Sequence, residues 1–312
     1  MEGDYFLLKG KCLNENSTIG ILAPASPEKE NFINNKLSLF KSLCFSNIKL
    51  GKHLYNKHDY LAGNDKDRAS DINDMFNDDS IDGIICFRGG YGSIRTLQYI
   101  DDSIIKCHPK FFCGFSDITL LLNHFRNLGL ICFHGPMINS NLSDCETVKS
   151  LLDISKYNFS NYSYNLNHYC DIRYINDDSF SGQLIGGNLA TICSSIGTPY
   201  EVKGNNFIIL LEEVNEEPYV IDRMLTELIF HNFFDSCNGI IIGHVNKSKL
   251  FDLCYKNHLQ QVFINRLKNL HIPMIIGFPF GHDYPNFTIP IGCNAHYSKT
   301  QKQLILTDSF LI

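Results

Sequence analysis

Lys110-Phe111-Phe112-Cys113-Gly114-Phe115-Ser116-Asp117-Ile118-Thr119-Leu120-Leu121-Leu122 passes from a short apolar run, through a glycine and a serine, into a second apolar stretch. A brief apolar run bounded by turn residues reads as a buried strand, and the longer stretch after it suits a helix. The segment predicts a strand, Lys110 to Gly114, that turns directly into a helix, Ser116 to Leu128. The same unit recurs on both sides. Thr18 to Ala23 reads as a strand ending in Pro24-Ala25-Ser26-Pro27, with a helix from Glu28 to Leu43 whose start suits Pro27. Ile48 to Leu50 is a second strand. Asp65 to Phe76 is a polar helix with Ala69, Ile72, Met75 and Phe76 at helical spacing, and Asp82 to Phe87 is a buried strand ending in Arg88-Gly89-Gly90-Tyr91-Gly92. Leu130 to Phe133 is a strand closed by His134-Gly135-Pro136. Strands alternating with helices predict an α/β fold, here a Rossmann-like or flavodoxin-like parallel sheet.

A second α/β domain is expected downstream. Between Asn158 and Asp178 the chain is rich in Asn, Tyr and Ser with little periodicity, which reads as a connection. The expected domains are therefore 1–157, a connection 158–178, and 179–312. Gly182 to Gly187 leads into a helix from Asn188 to Ile196. Asn206 to Leu211 is a strand, and Pro218 opens an amphipathic helix with Ile221, Leu225, Leu228 and Ile229 on one face. Gly239 to Ile242 and Ile272 to Ile276 are further strands, with a helix from Phe251 to Leu270 between them.

Composition narrows the function. The 312 residues are 44% apolar with a net charge of −6, enough for one large core or two moderate ones. No run of Lys and Arg could track phosphates, so nucleic acid is not an expected partner. Met1 to Asn16 lacks the basic-then-apolar layout of a signal peptide, and the longest apolar runs, such as Phe207 to Leu211, are strand-sized. A chain without membrane contact, resident in the cytoplasm, is expected. The twelve cysteines stand singly in apolar segments, among them Cys86, Cys113, Cys132, Cys193 and Cys237. Reduced thiols in the core are expected. Neither a C-x-x-C pair nor H-E-x-x-H occurs, and no metal site is expected.

Four segments can carry chemistry. Ser116, where a strand turns into a helix, would lift its hydroxyl above the sheet edge beside the first helical N–H groups, a nucleophile elbow. Ile118 stands where the full G-x-S-x-G pattern has its last glycine, and a serine there could equally be a helix N-cap. Arg88-Gly89-Gly90-Tyr91-Gly92 lets backbone approach a ligand and aim N–H groups at an oxyanion, or it is simply a tight turn. It is not G-x-G-x-x-G and no Walker lysine follows. Glu212 and Glu213 end an apolar strand, where a carboxylate can orient a histidine; adjacent acids point opposite ways, so one faces a site unless both are solvated. His282, in Gly277-Phe278-Pro279-Phe280-Gly281-His282-Asp283, lies on a loop after a strand, a usual place for a catalytic base. His134 competes with it, and His244 is a weaker third.

Taken in order, these fragments resemble the LD-carboxypeptidase family of serine peptidases, which includes the microcin-C-immunity peptidases. The resemblance runs through Ile21-Leu22-Ala23-Pro24-Ala25-Ser26, Arg88-Gly89-Gly90-Tyr91-Gly92, Gly114-Phe115-Ser116-Asp117-Ile118-Thr119 and His134-Gly135-Pro136. It continues with Gly186-Gly187-Asn188-Leu189, Gly197-Thr198-Pro199, Leu211-Glu212-Glu213, Asp222-Arg223-Met224-Leu225, Gly281-His282 and Pro290-Ile291-Gly292. It implies two domains with the active site between them, and a triad of Ser116 as nucleophile, His282 as base and Glu212 as acid. Backbone N–H groups of Gly90 and Asp117 match the oxyanion hole. The resemblance thus favours Glu212 over Glu213 and His282 over His134.

The implied reaction is hydrolysis of an L,D-peptide bond in a muropeptide, releasing terminal D-alanine through an acyl-enzyme during peptidoglycan recycling, without metal or cofactor. The implied partners are a small peptide substrate and a second copy of the chain in a homodimer. Two alternatives stand beside it: a detoxifying peptidase acting on an aminoacyl-nucleotide antibiotic, and a non-catalytic muropeptide-binding relative.

Overall fold

The computed structural model describes residues 7–156, 162–246 and 253–312. The start of the expected connection, the domain end at 157 and the first residues of the helix expected from Phe251 lie outside the described residues. So do Met1 to Phe6. The chain divides into two compact units.

The first unit comprises Met1–Asn158 together with two C-terminal pieces, Phe287–Gly292 and Phe310–Ile312. Its elements alternate: β1 (Thr18–Leu22), α1 (Glu30–Leu43), β2 (Asn47–Leu50), α2 (Asp65–Asn77), β3 (Gly83–Cys86), α3 (Asp102–Cys107), β4 (Phe111–Gly114), α4 (Thr119–Asn127), β5 (Cys132–His134) and α5 (Cys145–Lys156). The five strands are parallel in the order 2-1-3-4-5, a flavodoxin-like winding. In such sheets the switch point lies outside the carboxyl ends of β1 and β3, where Ser26 and the Arg88–Gly92 segment follow their strands. Phe111 and Phe112 show why both faces are covered, since neighbours on a strand point opposite ways. Phe112 packs on Phe76 of α2 and Phe125 of α4, with ring centroids 5.8 and 5.0 Å away, while Phe111 stacks on Phe133 at 4.3 Å.

The second unit comprises Phe159–Asn286 and Cys293–Ser309. Its elements are β6 (Ser163–Asn165), β7 (Arg173–Ile175), β8 (Phe180–Asn188), α6 (Leu189–Cys193), β9 (Phe207–Val214), α7 (Pro218–Phe230), β10 (Cys237–Asn246), α8 (Leu253–Leu267) and β11 (Met274–Ile276). Next in the chain comes β12 (Ile289–Ile291), which lies antiparallel on β5 as the edge strand of the first sheet. The second unit resumes with β13 (Asn294–Ser298) and β14 (Gln303–Leu306). Its sheet runs β6-β14-β13-β8-β9-β10-β11-β7, with β8 to β11 parallel and the remainder antiparallel. The sheet curls until its far strands approach: Tyr174 of β7 stacks on Tyr297 of β13 at 6.0 Å, and Lys302 pairs with Asp177 at 3.0 Å.

Two expectations on organisation need correcting. The described part of 158–178 is no mere connection, because it supplies β6 and β7, the edge strands of the second sheet. Three-residue edge strands bury one face at most, so they carry almost no apolar periodicity. The segment 179–312 is not one continuous domain either, since Phe287–Gly292 and Phe310–Ile312 belong to the first unit. No disulfide joins the described cysteines, and Cys86, Cys113, Cys132 and Cys237 are buried. Among the described residues no helix is long and apolar enough to cross a membrane.

Candidate active site

In the first unit three loops at the carboxyl ends of β1, β3 and β4 converge. After β4, the capping position falls on Phe115, and Ser116 opens a 3-10 turn with φ of +64°. Left-handed backbone is uncommon for a residue with a Cβ and costs about 1–3 kcal/mol, so the surroundings hold it there. That geometry is an elbow, and it sets aside the reading of Ser116 as a simple N-cap.

The glycines opposite explain what the elbow needs. A Cβ on Gly89 would stand 2.9 Å from Ser116 Cβ, 3.1 Å from its Oγ and 3.3 Å from the Asp117 amide nitrogen. Glycine therefore lets the β3 loop run against the serine. Gly90, with φ of +119°, presses on Ser26, whose Oγ accepts from the Tyr91 N–H at 3.1 Å. Asp117 turns inward: its Oδ2 accepts from the Ser93 N–H at 2.7 Å, and its backbone oxygen accepts from Ser93 Oγ at 2.5 Å. Burial pushes this carboxyl up, against the hydrogen bonds from Ser93 and Gly92 and the charge of Arg68, which favour the ionised form.

Sequence reasoning missed the residue that ties these loops together. Arg68, 1% exposed, donates through Nη1 to Pro24 O and, at 2.8 Å, to Gly92 O, while Nη2 engages Asp65. One guanidinium thus fastens the β1 loop to the β3 loop with the planar fork that suits two acceptors. Its signal was faint: a cation at a core position of α2, where a buried arginine is rare.

In the second unit β9 runs on through Val214, so Glu212 and Glu213 lie inside the strand and not at a solvated loop entrance; both are buried. They do point different ways. Glu212, fully buried, accepts from His282 Nδ1 at 2.5 Å. Glu213 accepts from the Ala190 N–H at 2.8 Å, the Val214 N–H at 2.8 Å and Asn188 Nδ2 at 3.2 Å, holding the start of α6. Burial, then the charge of Glu212, pushes the Glu213 carboxyl up to about 7. For His282, burial alone would lower the imidazole, but the charge and hydrogen bond of Glu212 and the charge of Glu213 outweigh it and hold it above its ordinary value.

The His282 loop depends on another glycine. Gly281 has φ of +108°, and a Cβ there would stand 2.8 Å from Glu212 Oε2; its N–H donates to Asn286 Oδ1 at 2.9 Å. The competing histidines are elsewhere. His134 is fully buried within β5, paired to Gly114 and Ile289 in the sheet, its ring 5.8 Å from that of Phe115. His244 braces the loop, with its N–H donating to Phe280 O and its Nε2 2.9 Å from Pro285 O. Ser116, Gly90 and Asp117 therefore gather in the first unit, and Glu212 with His282 in the second.

Comparison with known proteins finds a family match in each half of the chain. Residues 19–135 match the LD-carboxypeptidase N-terminal domain, and residues 181–297 match the LD-carboxypeptidase C-terminal domain. A probable murein peptide carboxypeptidase of Bacillus subtilis is 33% identical over 98% of this chain and 97% of its own length. The microcin C7 self-immunity protein MccF of Escherichia coli is 27% identical over 94% of each chain. Among solved structures, wild-type apo MccF covers 98% of this chain and all of its own at a TM-score of 0.86 and 23% identity. A muramoyltetrapeptide carboxypeptidase from Oxalobacter formigenes covers 94% of this chain and 99% of its own at 0.78 and 25%.

Proposed function

The chain belongs to the LD-carboxypeptidase family and is a peptidase, and from that premise we propose that it is a serine carboxypeptidase releasing the terminal D-alanine of a muropeptide by hydrolysing an L,D-peptide bond. The observation that carries the reading is the 2.5 Å bond between His282 Nδ1 and a fully buried Glu212. A carboxylate on Nδ1 fixes the ring and its tautomer, so Nε2 is the nitrogen that takes up and returns a proton.

In this reading Ser116 Oγ attacks the scissile carbonyl carbon while its proton passes to His282 Nε2. The negative charge formed on the carbonyl oxygen is met by the N–H groups of Gly90 and Asp117, a contribution of about 3 kcal/mol per donor in comparable sites. The intermediate collapses, the C–N bond breaks, and the imidazolium gives its proton to the leaving amine. Water, deprotonated by the same imidazole, then cleaves the Ser116 ester and restores the hydroxyl. Glu212 stabilises the imidazolium throughout. The sum is peptide plus water giving a shortened peptide and D-alanine. A cytoplasmic role in peptidoglycan recycling and a homodimeric state belong to the same proposal.

The test is incubation with a disaccharide-tetrapeptide followed by mass measurement for loss of alanine. Ser116→Ala is expected to lower kcat by about 10⁴-fold or more with the fold intact. Equal rates in variant and wild type would end the serine mechanism. A second reading, hydrolysis of an aminoacyl-nucleotide antibiotic, is supported by the likeness to MccF, solved in complex with aspartyl sulfamoyl adenosine. The same assay with an aminoacyl-nucleotide separates the two readings.

A further inference from the structure

Two tyrosines, one on the β3 loop that abuts Ser116 and one on a turn tied to the β1 loop, are solvent-exposed although their backbone is tightly held. Tyr91, one residue beyond Gly90, is 50% exposed, and Tyr60 is 59% exposed; their rings meet at 5.8 Å with planes 55° apart. Tyr60 sits on a tight turn in which Asp59 has φ of +53°, and His58 and Leu61 exchange backbone hydrogen bonds of 2.8 and 2.9 Å. The turn is tied to the β1 loop by the Ala62 N–H donating to Ala25 O at 2.9 Å. Tyr91 is tied to the same loop through Ser26 Oγ. Arg95 lies within electrostatic range of both phenols and is 41% exposed, its guanidinium anchored on Asp65 through Nε at 3.0 Å and Nη2 at 2.9 Å. Asp65 also serves Arg68, so two guanidiniums share one carboxylate while the Arg95 side chain stays partly open to solvent.

We propose that Tyr60, Tyr91 and Arg95 form a substrate subsite that stacks on a flat or C–H-rich ring and attracts an acidic group attached to it. Exposed aromatic rings on a fixed backbone lose little entropy when they stack, which makes them suited to binding and costly merely to expose. Tyr91 stands two residues beyond Gly89, which abuts Ser116, and Tyr60 meets Tyr91 ring to ring, which assigns the group to the substrate's remote portion. The inference rests on the proposed peptidase reading for its location but not for its chemistry. A pyranose of a muropeptide and the base of an aminoacyl-nucleotide both meet that description.

The experiment compares wild type, the Tyr60→Ala/Tyr91→Ala double variant and Arg95→Gln. Its first readout is the ratio of kcat/KM for a disaccharide-tetrapeptide to that for the free tetrapeptide. Its second is the calorimetric affinity of an aminoacyl sulfamoyl nucleoside for the Ser116→Ala chain with and without the same changes. A fall of about tenfold in the first reports a sugar ring in the subsite, and in the second a nucleobase. If both stay put, or if the tyrosine changes alter only the mass of the protein in solution, the subsite is wrong and the pair is a subunit contact. Absence of any muropeptide cleavage by wild type, with nucleoside affinity still falling in the variants, would overturn the muropeptide reading and leave the subsite standing.

Discussion

Around Ser116 the working geometry is made of backbone, whereas around His282 it is made of side chains. The serine is held at φ +64° against Gly89, and the donors proposed for the oxyanion are amides of the same two loops, of which the β3 loop is fastened in turn to the β1 loop by Arg68. The second region spends a buried carboxylate and an imidazole, with a further carboxylate one residue away. Backbone donors carry partial charge and need no counterion, so the first region can be assembled from glycines at little electrostatic cost. Ionised side chains out of water are stable only when paired, so the second region must keep Glu212 and His282 together or lose both. Damage to the first should therefore appear as lost transition-state binding with the protonation chemistry intact. Damage to the second should appear as altered proton transfer.

The largest test of that contrast is Glu212→Gln. An amide keeps the shape but offers His282 Nδ1 no negative charge and can present a donor to it, favouring the wrong tautomer. The expected loss is about 10⁴-fold in kcat with KM near wild type, measured on the muropeptide substrate. A loss below tenfold would break the comparison, because the pair would then be a packing feature. Next is Gly89→Ala, whose methyl would crowd Ser116 and the Asp117 amide. If the elbow depends on backbone spacing, kcat falls about 10²- to 10³-fold, as for loss of one oxyanion donor, while the thermal unfolding midpoint changes little. Unchanged kcat in a folded Gly89→Ala chain would show that the β3 loop is not part of the oxyanion site.

Legibility in the sequence followed the same line. The first sheet could be read because its central strands β1, β3 and β4 are buried on both faces and lead into glycine, serine or proline, as at Gly114-Phe115-Ser116 and Arg88-Gly89-Gly90. Strand order could not, yet the α/β class followed from the alternation alone. His282 and Glu212 were candidates by position at strand ends, but the residues alone left His134 and Glu213 as rivals. The structure separates them by direction, which one-dimensional spacing does not encode beyond alternation. Glu213 turns to the start of α6 and His134 is enclosed within β5. What stayed hidden was tertiary: Arg68 looks like one more cation on a polar helix, and β12 crosses back to the first sheet through three residues with no pattern of their own. The short strands β6 and β7 were hidden for the same reason, too few residues to display a period.

The smallest expected effect bears on how far the two carboxylates of β9 act separately. As the proposed base, His282 must be neutral to accept the Ser116 proton, so kcat/KM should rise as pH climbs through its pKa. That value is held above the ordinary 6.5 by Glu212 and, to a lesser degree, by Glu213. The acid limb of the profile should therefore lie above that of a solvent-exposed histidine. Glu213→Gln keeps an oxygen for the Ala190 N–H but removes a negative charge that favours the imidazolium. The limb should then move to lower pH, giving a gain of a few-fold around and just above about pH 7, where Glu213 is ionised, and none on the alkaline plateau, since one unit of pKa is about tenfold in the neutral fraction. Glu213 itself, pushed up to about 7, gains its charge across the same range and holds the imidazolium more firmly as pH rises, so the wild-type limb should also be shallower than a single ionisation. A variant limb identical in position and slope to wild type would mean that Glu213 serves α6 alone, and that the dyad is electrostatically isolated from its neighbour on the strand.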